Sequence, residues 1–555
     1  MTDISNPLVL LPMDLEAELA ETALRVFRAA QQRSCATTDT TAVGNLVLSM
    51  LQCVKSALLP DLRTHNAAQI GRAGLPDELW CIIWGHLSME DRVRVTHVCS
   101  AWRQLAVGTP RLWCSLDFYS SLHNSRCSCD RCDFLYHRDA TCDRCNDDLL
   151  VGRSNIVLVT ALLPRSQQLP LHLHVDAQHD ETDKCVLDEL TTALLAHAHR
   201  LELISINSED EHAVLHLLNG LRPSLPALRV LDCSYACFPS VVDAMPAALH
   251  CLQTFRLREG YGSINSEDHT DVSSFPSVRT LEFELPRQNG LESYLNTFPS
   301  VQHLCVNLAL AGITYSPSAP LSTRPNTSSI SSVHVYHVSS KNEDAVLALF
   351  HDVKLHLLVL VYKPWLDVSE RPPCGLGIFA DLYRPTMLHC SVNYRNNAIL
   401  SADDNGKRRE IHIPSSAVGF LWQSLSTAHL STVRIEASLC SRLFSEIAPT
   451  FPVVRLLEIT FLGSDDFLQL LEADTIRRMA SLSAPSLDTL RIISLDPTSF
   501  ERIDASHIAL FANPFCAGRV LRTLSLRHVS VIGDAQELSA IANTVEYGVH
   551  GGSSD

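Results

Sequence analysis

Leu225-Pro226-Ala227-Leu228-Arg229-Val230-Leu231-Asp232-Cys233 is the stretch whose reading decides the fold. From Leu228 it holds an apolar residue, two others, an apolar residue, one other and an apolar residue, with a proline two places ahead. The same unit appears as Leu201-x-x-Ile204-x-Ile206, Leu252-x-x-Phe255-x-Leu257, Val278-x-x-Leu281-x-Phe283 and Val301-x-x-Leu304-x-Val306. With the Leu228 copy, these start 27, 24, 26 and 23 residues apart. Later copies begin at Ile330, Leu355, Leu430, Val454, Leu487 and Leu521. Pro226, Pro276, Pro299, Pro452 and Pro485 all stand two places before a copy. Proline there suits a loop feeding a strand, because it cannot donate to a ladder but can lead into one. Chance spacing does not readily give eleven such units in near-register.

Between the expected strands, 209–221 after Ser208, 343–351 after Asn342 and 465–473 after Ser464 read as helices, each a capping residue followed by a periodic apolar run. Strand then helix at about 25 residues is the leucine-rich repeat unit, whose strands stack into a solenoid. The repeat is degenerate and lacks the regular asparagine after the strand. The expected fold class is α/β: a small three-helix module followed by an irregular leucine-rich-repeat solenoid. A non-repetitive α/β domain is the alternative. Two interruptions stand out. Residues 311–332 are rich in Ser, Thr and Pro and read as a mobile loop, and 364–430 break the period. Within the second, 390–413 alternate around Asp404-Asn405-Gly406, a hairpin signal. Such an insertion is either a binding element or decoration.

Composition narrows the function. Only 19% of the 555 residues are charged and the net charge is -17, whereas nucleic acid and anionic membranes call for concentrated Lys and Arg. Residues 1–20 are acidic and do not read as a secretory signal. The strongest apolar run, 355–362, is too short to cross a bilayer. The 19 cysteines are mostly scattered singly, as at Cys81, Cys233, Cys305 and Cys440, which suits buried thiols in a reducing compartment, cytoplasmic and/or nuclear. Upstream, 14–32 and 41–59 read as helices with Pro60 ending the second, a helical lead-in or a regulatory or dimerising element.

Residues 75–113, LPDELWCIIWGHLSMEDRVRVTHVCSAWRQLAVGTPRLW, differ in kind. Pro76 suits a helix start and Asp77 and Glu78 favour the positive end of its dipole. Leu79, Ile82, Ile83 and Leu87 recur three and four apart, giving one apolar face that must be buried somewhere. Ser88 caps a second helix with Asp91 three residues on, Val95 and Val98 continue its inward stripe, and a third helix spans 100–107. Three helices in roughly forty residues bury little surface alone, so the module packs on its own chain or on a partner.

The order Leu75-Pro76, Val98-Cys99-x-x-Trp102-Arg103 and Pro110-x-Leu112-Trp113 resembles the F-box, the helical module by which substrate receptors dock onto a Skp-family adaptor in cullin-RING ubiquitin ligases. Leu163-Pro164-Arg165-Ser166 with Leu169-Pro170-Leu171-His172-Leu173 further resembles the connector of fungal F-box proteins with degenerate leucine-rich repeats. The resemblance implies a non-catalytic substrate-recognition subunit that meets the adaptor and cullin scaffold and holds an unknown protein substrate. Leu75, Pro76, Ile83, Leu87, Val98 and Trp102 would carry the F-box fold and its adaptor face. The alternative is an interaction scaffold that keeps the F-box fold but joins no ligase.

One cluster has metal-ligand spacing. Cys129-x-x-Cys132 and Cys142-x-x-Cys145 are two knuckles that together complete a tetrahedral zinc site, with Cys127 and His137 as spare ligands. The competing reading is a cysteine-rich surface loop. No cofactor is otherwise required, and a structural zinc is the expectation there rather than a catalytic one. No Gly-x-Ser-x-Gly elbow, phosphate-cradling glycine loop, dinucleotide fingerprint or His-Glu-x-x-His pair occurs. Ile-Asn-Ser-Glu-Asp occurs at 206–210 and 264–268, as helix caps or as an acidic ridge for a basic partner. The expected organisation is a helical region 1–70, an F-box 71–118, a cysteine-rich insertion 119–150, a repeat domain 151–546 and a disordered tail 547–555.

Overall fold

The computed structural model describes residues 75–120 and most of 154–548, together with helical pieces within 18–64. Two compact units divide the chain, Met1–Trp113 and Cys114–Asp555. In the first, residues 56–61 are helical, so Pro60 does not end its helix as expected. Proline removes one ladder bond, but its ring favours the helical φ, and Thr64 Oγ1 donates to the Pro60 carbonyl at 3.0 Å.

Among the described residues the second unit is built on one sheet of 17 strands. In chain order its first nine are β1 (Ser115–Tyr119), β2 (Leu171–Ala177), β3 (Leu201–Ser208), β4 (Val230–Ser234), β5 (Thr254–Arg258), β6 (Thr280–Glu284), β7 (His303–Asn307), β8 (Ser332–Val338) and β9 (Leu357–Tyr362). Each pairs in parallel with the next. Then come β10 (Met387–Val392), β11 (Asn397–Asp404) and β12 (Lys407–Pro414), followed by β13 (Thr432–Glu436), β14 (Leu456–Phe461) and β15 (Thr489–Ser494). The last members are β17 (Leu521–Arg527) and β19 (Ala542–Gly548), while β16 (Glu501–Asp504) and β18 (Val529–Ile532) form a separate parallel pair. Helices such as Glu211–Leu221, Phe238–Ala244, Glu343–Phe350 and Ala437–Leu443 lie between strands.

Every repeat copy in the sequence coincides with a strand, and the copies stack in register. Ile204 is opposite Leu231, Leu231 opposite Phe255, Phe255 opposite Leu281 and Leu281 opposite Leu304. All five are fully buried. The upstream prolines sit in turns: Leu228, Val278, Val301 and Leu487 donate their amides to Leu225, Phe275, Phe298 and Ala484. Proline at the second place of such a turn has its φ already set.

The break in the period is not a break in the sheet. β9 pairs in parallel with β12, β12 antiparallel with β11, β11 antiparallel with β10, and β10 in parallel with β13. The predicted hairpin is the β11–β12 turn, where Asn405 and Gly406 have φ of 47° and 83°, the pair of positive angles that a type I′ turn needs. Its register puts Arg409 beside Leu358 in the inward row. Arg409 is 2% exposed and its guanidinium forks onto Asp381, with Nε to Oδ1 at 3.0 Å and Nη2 to Oδ2 at 2.5 Å. A buried arginine needs such a partner.

Three expectations are corrected here. Tyr547 and Gly548 belong to β19 rather than to a disordered tail, because the strand finds a parallel partner in β17. The helix expected at 465–473 is the shorter Ser464–Gln469, capped at Gly463. The sheet also begins before the recognised repeats, at β1 and β2, whose Leu116 and Leu173 are in line with Ile204 of β3.

Candidate functional site: a helical docking face and an open strand face

In the first unit, helices α1 (Asp77–Gly85), α2 (Met89–Val98) and α3 (Ser100–Val107) are followed by a single turn, Pro110–Trp113. Pro76 stands at the start of α1, as its missing amide allows. Ser88 Oγ accepts from the Asp91 amide at 3.2 Å and donates to Asp91 Oδ2 at 3.0 Å, so Ser88 caps α2 at the place expected from the spacing. The Cys99 sulfur accepts from the Trp102 amide at the start of α3.

The core of this module is aromatic. Trp80 and Trp84, one turn apart on α1, meet Trp102 of α3 with ring centroids 5.0 and 5.1 Å away. Trp113 is fully buried and its Nε1 donates to the Ala106 carbonyl at 2.9 Å. Buried Arg92 donates to the Leu112 carbonyl, and Arg103 Nε to that of Thr96 at 2.8 Å, so basic side chains fasten the helix ends. Large rings fill a small module more fully than aliphatic side chains do.

That core leaves the apolar face of α1 outside. Leu79, Ile82 and Ile83 are 43%, 58% and 44% exposed, and Leu75 and Val98 are 40% and 59% exposed. Of the second helix's stripe, Val95 is buried but Val98 is not, a correction that follows from α2 ending there. Among the residues expected to face an adaptor, Leu75, Pro76, Ile83 and Val98 are therefore open, Leu87 is half-buried and Trp102 is inside the aromatic cluster. The contribution of Trp80 and Trp84 was readable from their four-residue spacing. An apolar helix face left open in water is characteristic of a surface that another molecule covers.

The second unit offers a different surface. Residues alternating with the buried rows point away from the core and form charged ladders. Arg256 Nε lies 3.1 Å from Glu282 and its Nη1 4.0 Å from Asp232. Farther along, Glu458 takes Arg434 at 3.4 Å and Arg491 at 2.9 Å. Between these lies Glu410, which the His412 hydrogen bond and then Arg408 hold down at about 2. Burial lowers the neighbouring His334 and His389, so their rings favour the neutral form. The thiols of Cys233, Cys305 and Cys440 are pushed up by burial, with Cys305 at about 12, so they are poor nucleophiles.

Cys129, Cys132, Cys142 and Cys145, with Cys127 and His137, lie outside the described residues, as does the second Ile-Asn-Ser-Glu-Asp copy. Among the described residues no group of His, Cys, Asp and Glu could hold a metal ion, and no helix is long and apolar enough to cross a membrane.

Comparison with known families matches residues 73–119 to the F-box-like model. That span contains α1, α2, α3 and the buried turn at Trp113. None of the curated proteins compared matches the chain.

Proposed function

We propose that the chain is a non-catalytic substrate receptor of an SCF-type ubiquitin ligase. The helical module docks onto a Skp-family adaptor, which joins it to the cullin scaffold, and the strand unit holds the target. The observation that carries this reading is the coincidence of the F-box-like match at 73–119 with the open apolar face of α1. Leu79, Ile82 and Ile83 are already about half covered, so enclosing what remains of one such side chain is worth about 1 kcal/mol, and several together make a docking surface. The register of β3–β9 and of β13, β14, β15 and β17, with repeat copies starting 23–34 residues apart within each run, supports a degenerate leucine-rich-repeat solenoid as the target-holding part. Mechanistically the receptor supplies proximity: a target held beside the charged ubiquitin carrier reacts at a raised effective concentration without new chemistry here.

Co-purification tests it. The adaptor is expected to co-elute with the wild type and to be lost on combining Leu75→Ala with Pro76→Ala while the strand unit stays folded. Absence of the adaptor from the wild type, or its retention by the double variant, refutes the docking claim. The four cysteines carry a second proposal on their spacing alone, a structural zinc. Metal analysis under reducing conditions is expected to find about one zinc per chain, lost on Cys129→Ser with Cys142→Ser.

A further inference from the structure

At the C-terminal ends of β5–β8 the outward face of the sheet is indented by a cavity of about 210 Å³. Arg258, Glu282, Glu284, Cys305, Asn307 and Tyr336 are among the residues that line it. The register explains why they meet: Glu284 of β6 is opposite Asn307 of β7, and Asn307 opposite Tyr336 of β8. These three therefore form a row one strand spacing apart on the side of the sheet away from the buried Phe283 and Val306.

The acceptors in this row are incompletely served. Glu282 is taken by Arg256 at 3.1 Å. Among the described residues Glu284 has the field of Arg258 to set against its burial, and burial wins, raising its carboxyl above the usual range. Asn307 Oδ1 is buried without a hydrogen-bond partner. A carboxylate and a carbonyl oxygen on adjacent strands, with a tyrosine next in the row, match a planar cation that carries several N–H donors. A guanidinium can fork across both oxygens and lay its face on the ring.

We propose that this cavity seats an arginine side chain of the protein held by the strand unit, with Glu284 and Asn307 accepting from its guanidinium. The assignment rests on the strand unit being the target-holding part of a receptor. Arg258 is then an internal competitor, a cation that partly satisfies Glu284 until the target's guanidinium takes its place.

The probe is the capped tripeptide acetyl-Gly-Arg-Gly-amide, titrated into the purified full chain beside its citrulline counterpart, which has the same shape without the charge. The arginine peptide is expected to bind at least about tenfold more tightly than the citrulline peptide, and Glu284→Gln to weaken it about tenfold. Arg258→Gln is expected to strengthen it by about threefold, a direction that loss of fold does not produce. Equal binding of both peptides, indifference to Glu284→Gln in a folded variant, or weakening by Arg258→Gln overturns the assignment. Adaptor capture by the same preparations separates the two readings. Absent peptide binding with capture intact refutes the arginine site alone, whereas absent capture by the wild type refutes the receptor reading whatever the peptide does.

Discussion

Leucine and isoleucine serve opposite ends in the two units. In the strand unit Leu231, Leu281 and Leu304 occupy equivalent places in the repeat and are shut away completely, Leu281 paired with Leu304 and Phe255 standing between Leu231 and Leu281. In the helical module Leu79, Ile82 and Ile83 share one face of α1 and stand open, while Trp80 and Trp84 on the other side fill the core with Trp102. A long parallel sheet must cover its inward rows to exist at all, so apolar periodicity there reports burial. A module of three short helices cannot enclose every apolar face by itself, so the same periodicity there marks a face that another surface can cover.

The contrast breaks most visibly where it is strongest. Leu281→Ala removes a side chain stacked between Phe255 and Leu304 in the middle of the sheet and is expected to cost about 3–4 kcal/mol. Urea unfolding followed by circular dichroism measures it. A loss below about 1 kcal/mol would mean that the stacked rows are not what holds the unit together.

The splice at β9–β12 tests whether a charge can replace an aliphatic side chain in an inward row. Arg409 is buried, but its partner Asp381 is partly exposed, which weakens the pair relative to a fully buried one. Asp381→Ala strands the guanidinium and is expected to cost about 2–3 kcal/mol, whereas Arg409→Met with Asp381→Ala recovers most of that. If the double variant is no more stable than the single one, the charge pair is not what Arg409 contributes.

Burial also imposes a pH dependence on the strand unit. Glu343, at the start of the helix Glu343–Phe350, is almost completely enclosed, and burial pushes its carboxyl up to about 7 against a lowering contribution from Tyr362. A carboxyl raised in the folded state binds its proton there when the unfolded chain has already released it. Its contribution to stability is therefore fully present at acidic pH, declines as pH rises from about 4.5, and is gone above about 7. Glu343→Gln should flatten this part of the stability profile. An unchanged slope between pH 5 and pH 7, relative to wild type, contradicts the assignment (about one proton is at issue).

How much could be read beforehand follows from the same contrast. The repeat spacing located the strands, and the Asp404-Asn405-Gly406 signal located the β11–β12 turn, because both are local rules of backbone and side-chain alternation. How that hairpin joins the sheet, β12 onto β9 and β10 onto β13, was not legible, since pairing partners far apart in sequence leave no local mark. Arg409 was within reach: alternation along β12 puts it on the face of Ile411 and Ile413, all three buried. In the helical module the spacing gave the helices and the Ser88 cap, left open what covers the α1 face, and turned Val98 inward although α2 ends there with that side chain exposed. Periodicity identifies an apolar face without saying whether the chain itself or a partner covers it. Glu284 and Asn307 meet only through strand register, so no motif announced them.

The smallest expected change in stability sharpens the comparison furthest. Ile82 is 58% exposed on α1, so Ile82→Ala removes contacts mainly with solvent and should alter stability by less than about 0.5 kcal/mol. If α1 is the docking face, the same substitution should weaken adaptor binding by about tenfold or more, because a large aliphatic side chain at the centre of an interface is worth over about 1 kcal/mol once covered. Trp84→Ala is its mirror: Trp84 is buried against Trp80 and Trp102, so its loss should unfold the module and abolish binding only as a consequence. Thermal unfolding and adaptor affinity measured on both variants separate the two roles. Stability lost on Ile82→Ala would place that side chain in the core after all. Stability and affinity both unchanged would leave the open face of α1 without a partner and remove the main support for docking.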